Sequence, residues 1–149
     1  MKNTVLCDDN QWIHYLSPTE SGRMHDKKIA DDYPLHLPPG SVLRQDLGFM
    51  GHHPEGVIVE MPHKKPRNGV LSFSQLLYNQ LLSPLRVVIE HTNSGIKRLR
   101  MLKDTLRLHG EWVRDTVMAV GCGLHNFRAV SPQRAYLAHQ RDKDSNSFA

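Results

Sequence analysis

The stretch SVLRQDLGFMGHHPEGVIVEM, residues 41–61, carries the reading that decides the fold. Two short runs within it, residues 41–45 and 56–61, have strand composition, and each is ended by turn formers. Between them Asp46 closes the first strand, and the following Leu47-Gly48-Phe49-Met50-Gly51 lets the backbone turn sharply. An acid at the carboxyl end of a strand stands where α/β sheets place ligand-binding groups. The commoner role for such a residue is to cap a turn, so Asp46 alone leaves both readings open.

Outward from this stretch, residues 4–7 and 13–17 read as a hairpin around the turn chemistry of Asp8-Asp9-Asn10. Residues 25–32 read as a short helix, closed before Pro34 because the residue preceding a proline is pushed out of the helical region. Pro38-Pro39-Gly40 resets the chain. From Ser72 the period becomes helical, with Leu76, Leu77, Leu81 and Leu82 on one apolar face. Pro84 fits as the first residue of a second helix, along which Leu85, Val88, Ile89, Thr92, Ile96, Leu99, Leu102 and Leu106 recur at steps of three and four. His109-Gly110 ends it. A last helix carries Val113, Val117, Val120, Leu124 and Phe127, and Gly121 and Gly123 within it suggest close packing against another backbone. Residues 131–149 read as a tail, disordered from about residue 138 because it holds too little apolar surface to offset ordering.

Strands followed by helices describe an α/β layout, a sheet with helices on its faces. Four short strands make a thin sheet for three long helices, which suggests that an edge of the sheet lies upstream of residue 1. The 149 residues make one globular domain, and 39% apolar and 23% charged residues exclude a wholly disordered chain, a collagen and a coiled coil. No apolar run approaches the roughly 18 residues of a membrane span, no signal peptide is visible, and two cysteines exclude a disulfide framework. The net charge of +4 is unevenly spread: residues 1–62 hold 5 Lys/Arg against 9 Asp/Glu, and residues 63–114 hold 10 against 3. A basic block following an acidic one is what a polyanion-binding surface beside a carboxylate site would look like.

Glu90 lies one position off the apolar stripe of the long helix, in a polar row with Arg86, Asn93, Ser94 and Lys97. For an isolated helix the bland reading is a solvated face with an Arg86–Glu90 ion pair. His25, His52, His53 and His91 lack zinc-ligand spacing, and Cys122 with His125 reads as core packing. Gly48 to Gly51 has no Lys-Ser/Thr after it, so it is no phosphate-binding loop.

Five blocks together are more specific: LSPTESGRMHDKKIADD (residues 16–32), LRQDLGFMG (43–51), MPHKKPRNG (61–69), NQLLSPLRVVIEHTNSGIKRLR (79–100) and CGLHNFR (122–128). In order and spacing they resemble, over residues 2–130, the C-terminal part of the catalytic domain of DDE transposases of the insertion-sequence and Harbinger-like type. The resemblance implies an RNase H-like mixed sheet with flanking helices and a site where three carboxylates bind two Mg²⁺ or Mn²⁺ ions. Those ions activate water or a DNA 3′-hydroxyl for in-line attack on a phosphodiester. It implies Asp46 and Glu90 as the second and third carboxylates, and DNA as partner. Arg86, Glu90 and Lys97 fall at the spacing of the family's Tyr-x2-Arg-x3-Glu-x6-Lys signature, with Ser83 at the tyrosine position. Arg86, Lys97, Arg98 and Arg100 are then expected on DNA.

The family's first carboxylate lies in an Asp-Gly-Thr-type strand, and Asp8, Asp9 and Asp26 are poor substitutes for it. The expectation is a domain truncated at its amino end, holding two of three carboxylates, DNA-associated in a prokaryotic cytoplasm. Alternatives are a non-catalytic nucleic-acid-binding remnant, or a polypeptide completed by another transposase fragment or subunit.

Overall fold

Asp26–Asp32 forms the first helix, α1, because it follows an extended residue, His25, carries an acid in its first turn, and buries Ile29 and Ala30 on one side. It stops at Tyr33, ahead of Pro34, as the sequence predicts. The computed structural model describes residues 2–99 and 111–130. In chain order the other elements are strands β1 (Val5–Cys7) and β2 (Ile13–Leu16) before α1, and β3 (Val42–Arg44), a 3-10 turn (Leu47–Phe49) and β4 (Ile58–Glu60) after it. The helices α2 (Phe73–Ile96) and α3 (Glu111–Ala129) follow.

The described strands form two separate pairs, β1 with β2 and β3 with β4, instead of the single sheet the alternation predicts. β3 and β4 run parallel, with Leu43 opposite Val59 and Arg44 opposite Glu60. Parallel neighbours need a long connection, and residues 45–57 supply it with the 3-10 turn in place of a full helix.

The 3-10 turn, β3, β4 and α1 belong to one compact unit, with residues up to Val5, residues from Tyr15 on, and α2 as far as Val88. Its buried positions include Ile29, Ala30, Leu43 and Leu82. The helix α2 starts with a reciprocal cap: Gln75 N–H donates to Ser72 Oγ at 3.3 Å, and Ser72 N–H donates to Gln75 Oε1 at 3.0 Å. Two expectations fail along it. Pro84 lies inside the helix and does not begin a new one. Its ring removes one bond, to the Gln80 carbonyl, and the helix-forming residues on either side carry the coil through. The predicted apolar face is uncovered as well: of its four leucines only Leu82 is buried, while Leu76, Leu77 and Leu81 are about half exposed or more.

A second unit comprises Leu6–His14 and the described residues from Ile89 on. Ile13, Thr92, Ile96, Cys122 and His125 are among its buried positions. Thr92 donates from Oγ1 to Cys7 Sγ at 3.6 Å, which ties α2 to β1 within this unit. The close backbone approach expected at Gly123 is not there, since a side chain would meet nothing within 4 Å of it. Gly95 on α2 fills that part instead: a Cβ at this residue would overlap the His125 ring of α3. The helix α2 ends at Ile96, and residues 97–99 turn. Leu102, Leu106, the stop at His109-Gly110 and the tail from residue 131 lie outside the described residues.

Candidate active site

Asp46 stands one residue beyond Gln45, whose N–H still continues the β3–β4 pairing by donating to the Glu60 carbonyl at 2.9 Å. The chain turns there because the Asp46 side chain caps the 3-10 turn: Leu47 N–H donates to Oδ1 at 2.8 Å. The turn-capping reading is therefore correct, and it leaves the carboxylate exposed, at 62% of its side-chain surface.

The next charge Asp46 meets is Arg86, whose Nη2 lies 3.7 Å from the same Oδ1. Arg86 is thus directed at the strand-end acid, and the ion pair expected with Glu90 gives way to this one. At such exposure the attraction is worth at most about 1 kcal/mol. Its value is as a marker of place: Arg86 of α2 comes to the end of β3. Glu90, one turn after Arg86 on α2, is exposed, as are Lys97 and Arg98 in and after the turn that ends the helix. Arg100 lies outside the described residues. Among the described residues no group of three or more His, Cys, Asp or Glu is gathered as a metal cluster would be.

Beside the Asp46 turn lies an open cleft of about 500 Å³, walled by Lys27, Lys28 and Asp31 of α1 and by Gly48 and Met50. Both lysines are held in helical pairs, Lys27 with Asp31 and Lys28 with Asp32. The Asp31 carboxyl is held below its ordinary range, first by the hydrogen bond from Lys27 and then by that from His52. His52 itself is buried, with Nδ1 3.0 Å from Asp31 Oδ1. No sequence signal singles out this pair, because 21 positions separate its members.

In the second unit the histidine and asparagine of CGLHNFR are structural. His125 Nε2–H donates to the Gln11 carbonyl at 2.9 Å, at a hairpin residue with φ of 66°. Asn126 accepts from Ile13 N–H at 2.8 Å and donates to the Ile13 carbonyl at 2.9 Å. Core packing is thus the right reading of Cys122 and His125, whereas sequence reasoning missed Asn126. Its one available signal is that an asparagine inside a helix forgoes propensity and so tends to have a specific partner.

The fold and site together define a mixed α/β protein that brings an exposed strand-end carboxylate to an arginine of its long helix. A family model described as DDE superfamily endonuclease matches residues 1–126, and the chain belongs to that family. A probable transposase for insertion sequence element IS702 from Microchaete diplosiphon is 30% identical to it over 86 residues, which are 58% of this chain. The aligned stretch spans about a third, 31%, of that relative's length. No solved structure matches the chain. No described helix is long and apolar enough to cross a membrane.

Proposed function

We propose that this chain contributes to a DNA-cleaving and strand-joining site of the transposase kind, built on an RNase H-like sheet. Asp46 and Glu90 serve as its carboxylate metal ligands, and Arg86, Lys97, Arg98 and Arg100 as its DNA contacts. The observation that carries the proposal is the approach of Arg86 to Asp46, 3.7 Å apart across 40 residues of chain. It supports the reading because Arg86 shares the polar row of α2 with Glu90.

The donors suit the metal. Mg²⁺ and Mn²⁺ take hard oxygen ligands, and Asp46 and Glu90 are both exposed carboxylates. A pair of such ions, when bound, stabilises the entering and the leaving oxygen of the phosphodiester. The chain's own residues do the rest. Leu47 N–H holds Oδ1 of Asp46 and so orients the carboxylate. Arg86 offers a fork of donors that matches phosphate geometry. Lys97 and Arg98, both exposed, add sequence-independent attraction for the DNA backbone. The cellular setting that follows is DNA-associated, in a prokaryotic cytoplasm, as the insertion-sequence relative's name suggests.

Residues 1–149 assayed alone on supercoiled plasmid should nick weakly with Mn²⁺, because two carboxylates hold the ions less well than three. Asp46→Ala and Glu90→Ala should each abolish what nicking there is. Robust nicking that both substitutions abolish would show that the site is complete in these residues, and nicking that neither affects would overturn the proposal. A second reading, binding without chemistry, draws on the same ion pair, since a carboxylate already facing a guanidinium needs no metal. Under it DNA affinity falls steeply with salt and is indifferent to Mg²⁺.

A further inference from the structure

The loop after Asp46 is held by α1 at three points. Asp26, the first residue of the helix, lies with its carboxylate against Gly48, so that a Cβ at Gly48 would stand 2.5 Å from Oδ2 and within 3.4 Å of the Asp26 Cγ and Cβ. The stem of Lys27 lies over Gly51. Asp31 pairs with the buried His52. Asp26 is itself tied back: Lys2 Nζ lies 3.2 Å from its Oδ1 and donates to the Met24 carbonyl at 3.1 Å. The antiparallel bridge between Lys2 and Glu20 fixes that lysine's backbone in turn.

The loop's own bonds are short-range. Phe49 N–H donates to the Asp46 carbonyl at 3.0 Å, Met50 N–H to Leu47 at 3.3 Å, and His52 N–H to Phe49 at 2.9 Å. Turns of this kind have poorer hydrogen-bond geometry than an α-helix and are readily remodelled. A metal-binding carboxylate has to be held within about 0.5 Å of its working position. What restrains these residues from outside the loop therefore decides where Asp46 stands.

We infer that α1 is the positioning element for Asp46, acting through Asp26 against Gly48 and through Asp31 on His52. This rests on the reading of Asp46 as a metal ligand. Neither Asp26 nor Asp31 ligates; they set the shape of the turn whose cap Asp46 is. The absence of a side chain at Gly48 is what lets the Asp26 carboxylate seat there. A Cβ at Gly48 would fall on the carboxylate oxygen, so the end of Asp26 would have to turn away from Gly48 and from its Lys2 partner to make room.

The test uses the ¹⁵N-labelled 149-residue chain, titrated with Mn²⁺ and followed by amide hydrogen exchange. In wild type, Mn²⁺ should broaden the Leu47 amide, whose N–H bonds the Asp46 carboxylate. Gly48→Ala, which adds a clash, and Asp26→Ala, which removes the contact without one, should each raise exchange at Met50 and His52 by about 10-fold. Both should also move the Mn²⁺ midpoint at Leu47 upward by about 10-fold. Exchange at Gln45 and Ile58, whose N–H groups belong to the β3–β4 pairing, should stay as in wild type. Wild-type exchange at Met50 and His52 in both variants overturns the inference. So does a loosened loop with an unmoved Mn²⁺ midpoint, which would make the contact structural only. If Asp46→Ala leaves the broadening intact, the metal-ligand reading fails, and the part played by α1 is then decided by the exchange rates alone.

Discussion

Asn126 on α3 and Asn79 on α2 each grip the backbone of one distant residue with both ends of a side-chain amide. Asn126 takes Ile13, with bonds of 2.8 and 2.9 Å. Asn79 takes His63, with bonds of 2.7 and 3.0 Å, and its neighbour Tyr78 stacks at a tilt on the His63 ring. In length and pattern the two clips match. They differ in what surrounds them: Ile13 is 7% exposed, whereas His63 is exposed. A hydrogen bond in water replaces another of nearly equal strength, but a buried peptide group that loses its partner keeps the full cost of desolvation. Identical geometry should therefore carry different energy, and the buried clip should hold the second unit together while the exposed one mainly fixes a loop.

The largest effect follows from breaking the buried clip. Asn126→Ala leaves the Ile13 N–H and carbonyl without partners, and at 1–3 kcal/mol for each such buried group a loss of about 2–3 kcal/mol of stability is expected. Urea denaturation would read it as a fall in midpoint at unchanged slope. Asn79→Ala should cost about 0.5–1 kcal/mol, since water reaches both groups of His63 once the amide is gone. Equal losses from the two substitutions would break the comparison and show that burial at Ile13 does not govern the strength of its clip.

The two clips also mark how far the sequence could be read. Element types follow from local rules, and for β1, β2, α1, β3, β4 and α3 those rules suffice within a residue or two. Turn chemistry, the halt before Pro34 and the spacing of Val113 to Phe127 each act over a few positions. Pro84 defeats them because a single forgone bond is small beside a 24-residue helix. The two-sheet arrangement and the Gly95–His125 approach depend on contacts between distant segments, which no local pattern contains. At the candidate site, the strand-end position of Asp46 was legible because an acid followed by glycine at the end of an extended run is a local signal. Its dependence on Asp26 and Asp31 was not, since an acid in a helix's first turn and an i,i+4 lysine pair look like ordinary surface chemistry. Asn79 and Asn126 fall inside the family-like blocks, where a motif residue invites a functional role although its contacts are to backbone.

The smallest effect sharpens the comparison by acting on the turn that Asn126 clips without touching Asn126. Asp8 holds that turn with Oδ1, which accepts from Asn10 N–H at 2.9 Å and Trp12 N–H at 2.8 Å, and its Oδ2 meets His14 Nε2 at 3.2 Å. Burial acts to raise the Asp8 pKa, but the bonds from Trp12, His14 and Asn10 outweigh it, and the carboxyl lies below its ordinary 3.8. A carboxyl depressed by folding adds stability that is fully present above its unfolded value and fades as pH falls through the folded one. Acid should therefore loosen the hairpin tip from about pH 3.8 downward, and the amides of Gln11 and Ile13 should lose exchange protection together. The amide of His63 should show no such step, because its clip is made of amide and peptide groups that do not titrate. Asp8→Asn keeps an oxygen on the Trp12 N–H and removes the charge, so it should flatten the acid dependence at Ile13. A His63 amide that follows the same acid transition as Ile13 would mean that the exposed clip rests on the stability of the hairpin and is not the independent loop anchor its exposure implies.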